Sequence, residues 1–182
     1  MKKLLMIAAM MLTSIVMYAQ NEIGQITLKP MAGVNFATMT KFREMETRIG
    51  AVVGAEGEYG LIKNLSVTAG LLYSMQGAKC YGASYKLDYI NIPILANYYV
   101  YKGLAIKAGV QPAFNVSSKI DRTDLEYNTK SFYFSIPFGA SYEYLGFVVD
   151  ARYNFGVSTI FSPGDSANRW FSLSLGYKFT LK

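Results

Sequence analysis

Residues 89–99 read Tyr-Ile-Asn-Ile-Pro-Ile-Leu-Ala-Asn-Tyr-Tyr, and taking every second residue sorts them into two unlike sets. Ile90, Ile92, Ile94, Ala96 and Tyr98 make an unbroken apolar row. Tyr89, Asn91, Pro93, Leu95 and Asn97 make a mixed row with two amides. Successive side chains on a strand point to opposite faces, so the stretch is one strand with a greasy side and a wetter side. Its length also suits a tilted strand crossing a bilayer core, which takes about 9–11 residues. A strand of a soluble protein alternates in the same way, so the rest of the chain has to decide.

Working outward, the same alternation predicts eight strands, at 25–36, 48–59, 65–76, 86–99, 104–115, 131–142, 147–156 and 169–181. No helical period competes with it, and no low-complexity linker marks a second domain. Short connections with Gly or Asn punctuation fall at 60–64, 100–103 and 143–146. Longer polar connections fall between them, at 37–47, 77–85, 116–130 and 157–168. Interleaved long and short connections fit an up-and-down antiparallel barrel, with long loops outside and tight turns in the periplasm.

The faces agree from strand to strand. Leu65, Val67, Ala69, Leu71, Tyr73 and Met75 form one apolar row, and Phe171, Leu173, Leu175, Tyr177, Phe179 and Leu181 form another. Similar rows run along 104–114 and 132–142. The opposite rows hold Lys29, Asn35, Glu56, Glu58, Asn91, Asn97, Lys107, Gln111, Asp150, Arg152, Asn154 and Lys178, with many Gly and Ser. A soluble barrel would turn the apolar row inward; a membrane barrel inverts this. Aromatics favour the membrane. Tyr59, Tyr98, Tyr142, Phe147, Tyr177 and Phe179 lie beside the short connections, while Phe36, Tyr73, Phe114, Phe132, Phe155 and Phe171 lie beside the long ones. Two such girdles mark the interfaces of a bilayer. Pro93 and Pro112 are awkward in either setting, because proline removes a ladder donor.

The N-terminus points the same way. Lys2 and Lys3 precede an apolar run from Leu4 to Met17, and Tyr18-Ala19-Gln20 resembles a cleavage site. Residues 1–19 are therefore expected to be a secretory signal peptide and 20–182 the barrel domain. The chain carries a formal charge of +6, of which Lys2 and Lys3 contribute two. The remaining surplus is spread along the sequence and does not suggest nucleic acid. The single cysteine, Cys80, excludes an internal disulfide. No mature segment is long and apolar enough for a membrane helix, so a spanning structure must be a closed barrel.

The sequence argues against enzymatic chemistry. It contains no histidine, so Ser-His-Asp, Cys-His and zinc-type sites are unavailable. Glu56 and Glu58 share a face, but lumenal cations account for them better than catalysis does. No cofactor or metal site is expected. Eight strands enclose an interior that side chains fill. Lys29, Lys107, Arg152 and Lys178 are expected to pair there with Glu56, Glu58 and Asp150, since buried charges need partners. In particular, Arg152 or Lys107 is expected to meet Glu56, Glu58 or Asp150. The pairs either plug the lumen or line a proton, ion or ligand path. The loops carry mixed charge around Lys41, Arg43, Glu44, Glu46 and Arg48 and around Lys119, Asp121, Arg122, Asp124, Glu126 and Lys130. That charge is either simply solvated or meets lipopolysaccharide phosphates or a protein partner.

Residues 89–99 resemble the Tyr-Leu-x-Ile-Pro-Leu-Leu segment of PorT-like outer-membrane β-barrel proteins of the Bacteroidetes. Gly33-Val34-Asn35-Phe36 resembles the Gly-x-Asn element of the same group, as does a signal peptide ending in Ala19-Gln20. The resemblance implies an eight-stranded outer-membrane barrel related to OmpA-type and OmpX-type domains. It supplies no catalytic residue. It implies contact with outer-membrane lipid and lipopolysaccharide, and with the barrel-assembly machinery during insertion. The expected function is therefore non-enzymatic, structural or surface-recognising. The alternatives are a barrel that binds or conducts a small apolar ligand, and an accessory of protein secretion.

Overall fold

A computed structural model describes residues 23–39, 46–80, 83–120, 132–157 and 168–181. The expected signal peptide lies outside these residues, as do Lys41, Arg43, Glu44 and the loop charges from Asp121 to Lys130.

The described residues form strands only. They are β1 (Ile26–Met39), β2 (Glu46–Ile62), β3 (Leu65–Cys80), β4 (Ala83–Asn91), β5 (Ile94–Tyr101), β6 (Leu104–Ile120), β7 (Phe132–Tyr144), β8 (Phe147–Gly156), β9 (Asn168–Tyr177) and β10 (Phe179–Thr180). β4 and β5 are two halves of one stave, since both pair with β3 and β6. β9 and β10 likewise form one stave against β1. That last pairing closes the sheet into an eight-stave antiparallel barrel. Closure leaves no open edge, as a sheet in lipid requires.

Register fixes the shape. Starting at Ile26, cross-strand partners run through Tyr59, Val67, Ala96, Ala108, Phe138, Tyr153 and Phe171, and return to β1 at Phe36, ten residues further on. With about 3.3 Å per residue and about 4.8 Å between strands, a stagger of that size tilts the staves by roughly 40°.

The apolar rows face outward. Leu71, Val53, Phe138, Leu173 and Leu175 are exposed, whereas Lys29, Glu56, Lys107, Asp150 and Arg152 are buried. The apolar rows themselves therefore do not line the lumen, as a carrier of apolar ligands would need them to. Both ends of the described chain sit with the tight turns: Gly24 N–H donates to Gly60 O (2.9 Å) and Leu181 N–H to Ile26 O (2.8 Å).

The structure corrects the expected connections. Strands reach further than the alternation suggested, so the tight turns shrink to Lys63-Asn64, Lys102-Gly103 and Leu145-Gly146. Positive φ at Leu145 (52°) and Gly146 (81°) suits a right-twisted hairpin. The connection expected at 77–85 largely disappears, because β3 runs to Cys80 and β4 starts at Ala83. Four long connections were expected on that side, the second the shortest, and that one is nearly absent.

Prolines explain the broken staves. Pro93 accepts from Gly70 N–H (3.1 Å) but has no N–H to return, and Pro112 accepts from Ile92 N–H (2.9 Å) with the same deficit. The two gaps flank Ile92-Pro93, where β4 gives way to β5. Pro137 does the same to the β6–β7 ladder, which skips Gly109 and Val110. One residue, Val116, is extra on β6 opposite the Asp88–Tyr89 step, a β-bulge.

The lumenal glycines answer to strand proximity more than to lumen width. A Cβ on Gly109 would lie 2.0 Å from Ile94 O, and one on Gly54 would lie 2.1 Å from Leu71 O. Gly109→Ala is therefore expected to lower the unfolding free energy by about 1–3 kcal/mol, measured by urea titration in lipid vesicles. A neutral result would mean that β5 and β6 can separate freely.

Candidate functional site

The lumen gathers charge in the half nearer the tight turns. Alternation on β2 places Glu56 and Glu58 inward, and on β8 it does the same for Asp150 and Arg152. The Arg152 guanidinium spans the lumen, with Nη1 2.5 Å and Nη2 2.9 Å from the Glu56 carboxylate oxygens. β2 and β8 are three staves apart, so this bidentate pair crosses the barrel. On its other side Arg152 Nη2 donates to Asp150 Oδ2 (2.8 Å), and Nε lies 2.5 Å from Oδ1. Lys107 Nζ meets Asp150 Oδ2 at 2.6 Å. Lys29 Nζ lies 2.8 Å from Glu56 Oε2 and 3.6 Å from Asp150 Oδ2. Gly70 leaves room for Glu56, since a Cβ there would lie 2.6 Å from Glu56 Cγ.

A second group sits beside it, closer to the turns. Lys178 Nζ lies 3.2 Å from Glu58 Oε2 and 2.6 Å from Glu143 Oε2. Ser66 and Tyr99 hydroxyls both donate to Glu58 Oε1 at 2.5 Å, and Lys178 donates to Tyr99 OH at 3.0 Å. Asn97 Nδ2 ties into this group through Thr68 Oγ1 (2.6 Å) and Ser66 Oγ (3.0 Å).

Charge balances only when both groups are taken together. Lys29, Lys107 and Arg152 face Glu56 and Asp150, leaving one positive charge over; Lys178 faces Glu58 and Glu143, leaving one negative. Burial of an unpaired ion costs several kcal/mol, so mutual neutralisation lets these side chains stay charged inside the barrel.

The other half of the lumen is mostly uncharged, with Arg48 the cation buried there. Asn35, Asn91, Gln111 and Asn154 are buried there, above a small apolar cluster of Met31, Val52 and Leu72. Asn35 Nδ2 donates to Ser74 Oγ at 2.8 Å. Toward the long loops the lumen is crossed by rings tilted against one another: Tyr89 and Tyr133 have centroids 5.9 Å apart, and Tyr133 and Trp170 6.2 Å. Arg48, expected in the charged cluster of the first loop, instead lies on β2, which starts at Glu46, and is buried at this end, donating to the Gln76 carbonyl.

The outer face carries two belts of rings. Near the turns, Tyr177 packs edge-on against Phe147 (5.1 Å) and Phe179 (4.8 Å), with Tyr59, Tyr98 and Tyr142 exposed at that end of their strands. Near the long loops, Phe114 meets Phe132 (5.5 Å) and Phe36 meets Phe171 (6.3 Å), with Tyr73 and Phe155 also exposed.

The lumenal residues expected from the sequence, Lys29, Glu56, Glu58, Asn91, Asn97, Lys107, Asp150, Arg152 and Lys178, all lie inside the barrel. Asn91 alone stands apart from the charge groups. Sequence reasoning missed Glu143, Tyr99, Tyr133 and Trp170. Glu143 is found by extending the row of Ser135 and Ser141 by one step, while Tyr99, Tyr133 and Trp170 already share the parity of the inward row on their expected strands. Among the described residues no group of three or more His, Cys, Asp or Glu side chains could hold a metal ion.

Comparison with known proteins agrees with the geometry. Neisserial surface protein A superposes with a TM-score of 0.55 at 16% identity, covering 86% of this chain and 97% of that one. Ail, the attachment invasion locus protein of Yersinia pestis, gives 0.54 at 11%, covering 87% and 100%. OprG of Pseudomonas aeruginosa gives 0.51 at 11%, covering 87% and 97%. At such identities the likeness concerns the fold alone. No curated protein matches the sequence. The family model described as outer membrane protein beta-barrel domain matches residues 18–162. With the closed eight-stave barrel, its outward apolar rows and this match in agreement, the chain belongs to the outer-membrane β-barrel domain family.

Proposed function

We propose that this chain is a non-enzymatic outer-membrane barrel whose lumen is closed by its own ion pairs and whose work is recognition at the outer surface. The observation that carries this is the Arg152–Glu56 pair bridging the lumen inside a balanced set of charges. Each ion of the two charge groups has a partner within 3.2 Å, and Arg48 toward the long loops bonds the Gln76 carbonyl, so neither group leaves an unpaired ion to attract a permeating one. In this reading residues 1–19 direct export and are removed, the barrel-assembly machinery inserts residues 20–182, and the two aromatic belts sit against lipid and lipopolysaccharide. Recognition then falls to the connections between β1 and β2, β6 and β7, and β8 and β9.

We also read the chain as a PorT-like member of the Bacteroidetes type. Support comes from the roles its motif residues take. Gly33 packs where a Cβ would lie 2.2 Å from Leu173 O, and Asn35 locks β1 to β3 through Ser74. An accessory role in secretion would show as co-purifying partners.

The test is a planar-bilayer recording on the purified protein. The expected result is no steady conductance at neutral pH. A sustained open level from the unmodified protein would overturn the closed lumen and favour a conduit.

A further inference from the structure

We propose that the lumen holds one bound water molecule between the amide belt and the charge groups, donating to Asn35 Oδ1 and Asn91 Oδ1. Both oxygens are buried and have no hydrogen-bond donor within the protein, and both residues line one small cavity beside Arg152, Ser172 and Ser174. The space open to a water's centre there is about 10 Å³, enough to seat a water molecule.

The orientation of Asn35 is fixed by its surroundings. Its Nδ2 faces three acceptors, Ser74 Oγ at 2.8 Å and the carbonyls of Ala51 and Met75 at 3.4 Å each. Flipping the amide would set its oxygen against two carbonyls with only the Ser74 hydroxyl able to donate to it, so the better satisfied placement keeps Nδ2 on all three and leaves Oδ1 to find a donor elsewhere. An acceptor left without a donor inside a protein is costly, and here there are two around one space.

The chemistry of that space selects the occupant. An anion would face two carbonyl oxygens. A cation would sit beside Arg152, in a group that already carries one surplus positive charge. Water offers two protons to the two acceptors and a lone pair to a neighbouring group such as the Ser174 hydroxyl, within the two to four partners that a buried water makes. The molecule so held would join β1 to β4 across the lumen.

A high-resolution crystal structure of the full chain tests this, with parallel crystals soaked in rubidium and in bromide salts. The expected result is one peak about 2.7–3.0 Å from both Oδ1 atoms, with no anomalous signal in either soak. An empty cavity, a peak that misses either oxygen, or an anomalous rubidium or bromide peak there would overturn it. Asn91→Leu should abolish the peak; its persistence at an unchanged position would also overturn the assignment.

Discussion

Replacing Asp150 with alanine is expected to lower the unfolding free energy of the barrel by about 3–5 kcal/mol, more than removing any other lumenal charge. Asp150 is the sole described partner of Lys107 and one of two anions on Arg152. Its loss leaves three cations facing Glu56 alone, with the Lys107 ammonium buried and unpaired. Arg152→Ala is expected to cost less, although it removes more hydrogen bonds. Glu56 would keep Lys29 at 2.8 Å and Asp150 would keep Lys107 at 2.6 Å, leaving two charges of each sign. Urea titration in lipid vesicles, followed through the single tryptophan, Trp170, ranks the two variants. If Arg152→Ala proved the more damaging, charge balance would not be what holds the lumen together.

Leu173→Arg is expected to destabilise the barrel by about 2–4 kcal/mol. Leu173 lies on the outer face between the two belts, two residues from Phe171 near the long loops and four from Tyr177 near the turns, and is 42% exposed. In a soluble barrel an exposed leucine replaced by arginine usually changes stability by no more than about 0.5 kcal/mol. In lipid the same guanidinium meets hydrocarbon at the middle of the bilayer. The same titration distinguishes the two settings, and a cost near zero would place this face in water.

The sequence made the faces legible because a strand's side chains alternate strictly and the two environments here differ so strongly. Ile90 to Tyr98 and Asn91 to Asn97 separate by parity alone. The partners of each charge were not legible in the same way. That Arg152 meets Glu56 and Asp150 together depends on the ten-residue stagger that brings β2 and β8 to one level, and register does not show in composition. Glu143 was read as part of a turn because β7 continues two residues past Tyr142. Tyr133 and Trp170 share their parity with inward residues, but rings near strand ends look like interface residues until the barrel is closed. The stave breaks at Ile92-Pro93 and the ladder gap at Pro137 depend on which rung each missing N–H would have filled. Local sequence announces the proline and leaves that rung undetermined.

The most direct measurement compares boiled and unboiled protein on a gel after detergent extraction of membrane fractions. A closed barrel with its apolar rows in lipid and its charges in the lumen should be found in the outer-membrane fraction and should migrate differently before and after boiling. Protein recovered from the soluble periplasm, with identical migration in both samples, would contradict the assignment of faces on which this account of the lumen depends.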